Sequence, residues 1–332
     1  MLYVTTRNER EHYPALRPLG QERGPDGGAY VPFRLPEFSR EEVEALKDMS
    51  FGTCVARTLE KLFFPRLDGV ELDFALGRTP VKTPVMSHRI AVAEMWHNIH
   101  WDFDWVVKEL IQRLRTESQL AAPVTSWANI AVRIAVLFGV FGQLQRMDAV
   151  SFDQGMDVAV ATGDFTMPMA AWYAREMGLP VGSVICCGHG SGIWDLLHRG
   201  EVRTSEPLPE GLERLIFGRL GAGEVERYLE ICGRGGVYGP AEEELELLRQ
   251  GMFASVVSPR RIERTIASVY RTNSYILGPE AAVVYAGLQD YRATAGEGRL
   301  ALLLAERRPA KDLETVASAL GMDPYVLKAQ LD

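Results

Sequence analysis

From Asp157 onward the chain alternates short apolar runs with helical patterns, and this alternation constrains the fold more than any other feature of the sequence. Met156 to Ala161 reads as a strand, Pro168 to Met177 as a helix, Val184 to Cys187 as a second strand and Gly192 to His198 as a second helix. Leu300 to Ala305 adds a buried strand closed by Arg307-Arg308-Pro309, and Ala310 to Leu320 a terminal helix. Strand and helix in turn is the grammar of a parallel sheet flanked by helices, so the expected class is α/β. With 332 residues, 47% of them hydrophobic and 24% charged, the chain can bury one large core or two ordinary ones, which excludes disorder and a fibrous repeat. The division expected is an N-terminal helical region over 1–120 and the α/β domain over 121–332.

The first region has a different texture. Gly24-Pro25-Asp26-Gly27-Gly28 predicts a turn into the short strand Ala29-Tyr30-Val31 before Pro32. Ser39 with Glu42 offers a capping box for a helix through Met49. A second helix from Phe51 to Phe64, with Val55, Leu59, Leu62 and Phe63 on one side, ends at Pro65. The acidic run Ala241 to Leu248 reads as a solvated helix face.

Charge and cysteine content narrow the partners. Lys and Arg total 36 against 44 Asp and Glu, a net charge of −8, which argues against a nucleic-acid duplex or an anionic membrane, since both are bound chiefly through basic side chains. Cys54, Cys186, Cys187 and Cys232 lack the number and spacing of a disulfide framework or a zinc site, so reduced thiols are expected. The N-terminus is charged within seven residues and lacks the apolar stretch of a signal peptide. The longest apolar run, Ile130 to Leu144, is interrupted by Arg133, two glycines and Gln143 and is too short to span a bilayer. A soluble, cytoplasmic protein is the expectation.

Ligands of open parallel sheets sit at the C-terminal ends of strands, which singles out two loops. Thr162-Gly163-Asp164-Phe165-Thr166 lies between a strand and a helix start, where backbone N–H groups and the helix dipole favour an anion. Gly188-His189-Gly190-Ser191-Gly192 occupies the equivalent place but has neither dinucleotide nor P-loop spacing, and such a turn is more often plain chain geometry. A third constellation, Glu94 to Trp105, gathers His97, His100, Asp102 and Asp104 among three tryptophans. On a helix, His97, His100 and Asp104 would share a face and could bind a metal. Polar groups satisfied beside an aromatic cluster are the more ordinary reading, and no metal is expected.

Taken together these segments resemble threonine synthase, a fold-type II pyridoxal-phosphate enzyme that converts O-phosphohomoserine to threonine. The likeness rests on Tyr3-Val4-Thr5-Thr6-Arg7, Asp26-Gly27-Gly28-Ala29-Tyr30-Val31-Pro32, Trp127-Ala128-Asn129-Ile130 and Thr162-Gly163-Asp164-Phe165. It continues through Tyr173 to Pro180, Leu212-Glu213-Arg214-Leu215-Ile216-Phe217 and Arg308-Pro309-Ala310-Lys311, in the family's order and over nearly the whole chain. The resemblance implies a fold-type II, tryptophan-synthase-β-like sheet, here with a reduced small domain, because only 22 residues separate Asp104 from Trp127 where the family carries a long substrate-gripping segment.

The resemblance also marks departures. The family's Schiff-base lysine, in "Phe-Lys-Asp-Phe", falls on Asp104, and a carboxylate forms no imine. Lys108 faces the same side of a helix but stands one turn, about 6 Å, further on. The phosphate loop "Gly-Asn-Phe-Gly-Asp" has become Gly163-Asp164-Phe165-Thr166-Met167, and the threonine facing the pyridine nitrogen falls on Glu306. These losses imply a threonine-synthase-like pseudoenzyme without pyridoxal phosphate, acting by binding a protein partner or small ligand. Two alternatives stay open. One is an enzyme with new acid/base or metal chemistry through His97, His100, Asp102, Asp104 and His189; the other is a functional pyridoxal-phosphate lyase. The shortened segment further predicts an uncovered apolar face at Trp96, Trp101, Trp105, Val132, Val136, Phe138 and Phe141, closed by homodimerisation or by a smaller core.

Overall fold

The computed structural model describes residues 1–63, 66–75, 81–96, 103–117, 125–190, 192–203 and 210–331. The chain opens with a small antiparallel sheet of β1 (Leu2–Thr5), β2 (Asn8–Pro14) and β3 (Tyr30–Pro32), in the order β2-β1-β3, with the short α1 (Arg17–Gly20) between the last two. The glycine-rich turn forms as its residues dictate. Asp26 Oδ1 accepts the Gly28 N–H at 2.9 Å, and Gly27 takes a φ of +77° that a side chain would resist.

Ser39 caps α2 (Arg40–Glu44), its hydroxyl accepting the Glu42 N–H while the Glu42 carboxylate accepts the Ser39 N–H at 2.8 Å. The helix is shorter than expected, since Ala45–Asp48 tightens into a 3-10 turn before Met49. In α3 (Phe51–Phe63) Val55, Leu59, Leu62 and Phe63 are all buried, as their spacing required. Next, α4 (Gly69–Ala75) crosses it closely, for a Cβ on Gly52 would lie 2.5 Å from the Gly69 carbonyl.

The rest of the chain builds one six-stranded sheet. In sequence follow β4 (Val85–Met86), β5 (Ile90–Glu94), α5 (Phe103–Glu117), α6 (Ser126–Arg146), β6 (Met156–Ala161), α7 (Thr166–Glu176), β7 (Val181–Gly188) and α8 (Gly192–Trp194). Then come β8 (Val202–Arg203), α9 (Glu210–Leu220), α10 (Ala222–Gly233), β9 (Val237–Tyr238), α11 (Glu242–Arg249), β10 (Met252–Val256), α12 (Pro259–Asn273) and α13 (Pro279–Ala295). The chain ends with β11 (Leu300–Ala305), α14 (Leu313–Leu320) and α15 (Pro324–Leu331). The sheet order is β10-β7-β6-β11-β5-β4, parallel except at the β4 edge, while β8 and β9 pair apart from it.

Both faces of this sheet are covered. Leu300, Leu302 and Leu304 of β11 point into a core shared with α6 and α7, and Ala301, Leu303 and Ala305 into a second core shared with α12, α13 and α14. Burial on two sides explains why this strand reads as an unbroken apolar run. The expected boundary near residue 120 falls between α5 and α6. Strands from either side of it share the sheet, because β5 pairs with β11 from Ile90 to Glu94.

Three expectations need correction. Val132, Val136, Phe138 and Phe141 are fully buried within the chain rather than exposed, because α6 runs through the main core between α3 and α7. Trp96 and Trp105 are half-buried, and Trp101 lies outside the described residues. The glycines that seemed to interrupt α6 are packing contacts: a Cβ on Gly139 would meet the Phe51 ring at 2.7 Å, and one on Gly142 the Leu46 carbonyl at 2.9 Å. Among the described residues α6 is the one helix long and apolar enough to cross a membrane, and 94% of its most apolar stretch is buried inside the fold. Finally, the segment Gly192 to His198 is one α-turn followed by a π-helical turn over Asp195–Arg199, and α14 is followed by α15 rather than ending the chain.

Candidate functional site

The neighbouring strands β7, β6, β11 and β5 all end at one rim of the sheet, placing Gly188, Ala161, Ala305 and Glu94 side by side. Thr162 closes the exits of β6 and β7: its N–H and its hydroxyl both donate to the Cys187 carbonyl, at 2.8 and 3.1 Å. A Cβ on Gly188 would fall 1.9 Å from the Thr162 hydroxyl oxygen, so any larger residue there would have to displace the Thr162 side chain. The Phe165 N–H then returns to the Thr162 carbonyl at 2.7 Å, a tight turn with left-handed Gly163 (φ +43°) and Phe165 (φ +68°). A left-handed phenylalanine is strained. Burial holds it, for the Phe165 side chain is 3% exposed and packs against Gly211 at the start of α9.

This turn delivers Asp164 to the N-terminus of α7, where its Oδ1 accepts the Thr166 N–H at 3.0 Å. A helix N-terminus favours any anion, and here one of its free N–H groups already holds a carboxylate from the chain itself. Thr166 is buried and Asp164 exposed.

At the end of β11, Glu306 pairs with Arg133 from the second turn of α6, Oε2 to Nη2 at 3.5 Å. The Arg133 side chain is 9% exposed and also donates to Asn129. Beside it, at the end of β5, the Glu94 carboxylate accepts the Tyr275 hydroxyl proton at 2.8 Å. Burial pushes the Glu94 carboxyl above the usual carboxylate range, while the Tyr275 hydrogen bond and the charges of Lys82 and Arg308 pull it down. The Tyr275 hydroxyl is raised as well, by burial and then by the Glu94 charge.

Sequence reasoning gave Glu94, Tyr275 and Arg133 no role in the site. The one signal available was an arginine and a glutamate standing in otherwise apolar segments.

The other expected residues are distributed differently. His97, His100 and Asp102 lie outside the described residues, as does Ser191. Asp104 occupies the first turn of α5, its side chain being outside the description, and Lys108 is exposed one turn on. His189 stays on its own loop, with Nδ1 3.0 Å from the Val257 carbonyl. Among the described residues no three His, Cys, Asp or Glu side chains converge as metal ligands. All four cysteines are unbridged, and burial pushes the Cys186 thiol up to about 12, leaving no thiolate at neutral pH.

A second polar assembly shares no side chain with the rim pairs. Thr6 donates to Glu213 at 2.5 Å and accepts the Ala29 N–H at 2.9 Å, and Arg7 reaches Glu213 at 3.3 Å. Arg214, 1% exposed, donates to the Tyr30 carbonyl, the Ser126 hydroxyl and Glu210. It joins the N-terminal sheet to α6 and α9.

These features define an α/β protein whose six-stranded, largely parallel sheet is covered by helices on both faces. In sequence and in fold it is similar to threonine synthases. Residues 2–74 match the family model described as threonine synthase N terminus. The chain is 25% identical to human "Threonine synthase-like 1" over 182 residues, covering 48% of this chain and 23% of that protein. It is 28% identical to the threonine synthase of Pseudomonas aeruginosa over 219 residues, covering 60% and 44%. The match thus takes in less than half the length of these relatives.

Among solved structures, the fold is similar to pyridoxal-phosphate-bound threonine synthase from Brucella melitensis, with a TM-score of 0.82 at 20% identity over 98% of this chain and 92% of that one. Yeast threonine synthase gives 0.77 at 16% identity over 96% and 90%.

Proposed function

We propose that this threonine-synthase-like chain is a non-catalytic binding protein that holds no pyridoxal phosphate. The observation that carries the reading is the Asp164 carboxylate on the Thr166 N–H, at the place where the resemblance puts the cofactor's phosphate. A carboxylate about 4 Å from a phosphate charge costs about 4 kcal/mol at an effective dielectric of about 20. Two further features support it: the resemblance puts Asp104 at the lysine position, and Glu306, which it puts opposite the pyridine nitrogen, is paired with Arg133. The residues present therefore do not fit the cofactor. What remains is a rim able to bind a small ligand, or a scaffold for a protein partner or a second copy in the cytoplasm. The experiment is an assay for phosphate release and threonine formation from O-phosphohomoserine with added cofactor; the expected result is none, and turnover above the uncatalysed rate would end the proposal.

One observation favours a second reading, acid/base chemistry in the same cleft. Glu94, half-buried with a raised pKa beside Tyr275, stands three residues before His97, and a rim carboxyl of that kind suits proton transfer. A ligand-dependent activity abolished by Glu94→Gln and retained by a Lys108→Ala variant would select it.

A further inference from the structure

On the flank away from the rim, a groove of about 570 Å³ lies between β3 and the helices α7 and α9, a volume in the range of small-molecule sites. Its lining has no residue in common with the rim site. Phe33, 44% exposed, and Phe217, half-buried, present ring surface to it, with Trp172 in the wall behind.

Two of these three rings already carry a cation. The Arg34 guanidinium stands 5.8 Å from the Phe33 centroid and that of Arg219 5.3 Å from Trp172, the contact expected of a ring's negative face. The charges at the groove point the same way, with Glu9, Glu37 and Glu176 against the single Arg34. Glu9 is engaged by the Ala222 N–H at 3.1 Å and Glu176 by Arg219 at 3.4 Å. The Glu37 carboxylate has no hydrogen bond or ion pair among the described residues, since Lys61 takes its backbone carbonyl instead. The net charge of −8 adds a field that draws cations toward the chain.

We propose that this groove binds a small organic cation with an apolar body, an aryl- or alkylammonium, its body on Phe33 and Phe217 and its charge toward Glu37. The enclosure between strand and helices suits a free molecule rather than a protein side chain on a flat surface. The site stands whether or not the rim holds a cofactor, so its failure and that of the binding-protein reading are separable.

Calorimetric titration of the intact protein with phenethylammonium, phenethyl alcohol and N-acetyl-lysine methylamide tests it. The expected result is saturable one-to-one binding of phenethylammonium, with the neutral alcohol at least about fivefold weaker and Glu37→Gln losing about fivefold, the scale of one exposed charge pair. Phe217→Ala should weaken both phenyl compounds together. Absence of saturation, equal affinity for the alcohol, or an unchanged affinity in Glu37→Gln would overturn the proposal. So would lysine methylamide binding as well as phenethylammonium, because the groove would then be reading a basic side chain of a protein.

Discussion

The buried assembly around Arg214 and the rim around Asp164 are both built from residues that carry the resemblance to threonine synthases, yet they differ in kind. Around Arg214, Thr6, Arg7, Glu213 and Arg214 keep the quoted motif residues, and each finds its partners inside the chain. At the rim, Asp164, Thr166 and Glu306, and on α5 Asp104, stand where the resemblance alone would put the residues that meet a cofactor. On the proposed reading the likeness follows packing rather than chemistry: the groups that match the resemblance around Arg214 find their partners within the fold, whereas those that depart from it are the ones whose partner would be a cofactor.

The largest effect that tests this contrast is expected at the retained assembly. Arg214→Met takes a donor from the Ser126 hydroxyl, the Tyr30 carbonyl and Glu210, of which Glu210 keeps Arg23 and the Ser126 hydroxyl at 2.6 Å each, and should cost about 2–4 kcal/mol in denaturant unfolding. A loss below about 1 kcal/mol would mean that the assembly does not hold the fold and would dissolve the comparison. Gly188→Ala comes next, because the new Cβ overlaps the Thr162 hydroxyl; a loss of about 1–3 kcal/mol is expected, recovered in part by adding Thr162→Ala. Urea midpoints of the single and double variants measure this coupling.

A smaller effect belongs to Ser39→Ala, which removes one half of the capping box and should lower stability by about 1 kcal/mol. At the rim, Asp164→Asn should alter stability by less than about 0.5 kcal/mol, as an exposed position does, while raising the affinity for inorganic phosphate. Unchanged phosphate binding would show that the carboxylate is not what excludes an anion there.

The pH dependence sharpens the contrast within the rim itself. Because burial raises the Glu94 pKa in the folded protein, the native state holds its proton more tightly than the unfolded chain does, whose value is about 4.3. The stabilisation is complete below that value and is lost as pH rises through the folded pKa. Thermal midpoints of wild type measured upward from the unfolded pKa should therefore decline relative to those of Glu94→Gln. Parallel curves would mean that Glu94 is solvated in the folded state.

Much of this fold could be read from the chain. β6 and β11 have the expected ends, since a strand buried on both faces advertises itself as an apolar run between turn residues. The capping box and the position of the Asp164 turn were equally legible, being local. β5 was not, because Ile90-Ala91-Val92-Ala93 is short, small and without a turn signal before it, and its strand character comes from pairing with β11. The two glycines of α6 misled for a related reason, as what requires them are Phe51 and Leu46 on other elements. The rim pairs Glu94 with Tyr275 and Arg133 with Glu306 join residues far apart in sequence, and only the order of strands brings them together.

The central claim, that the rim has given up its cofactor, is tested most directly by borohydride reduction of the purified protein followed by intact and peptide mass spectrometry. The account predicts the unmodified mass of the chain and no absorbance of a bound pyridoxal group. A stoichiometric phosphopyridoxyl adduct on Lys108, or on any other lysine, would contradict it.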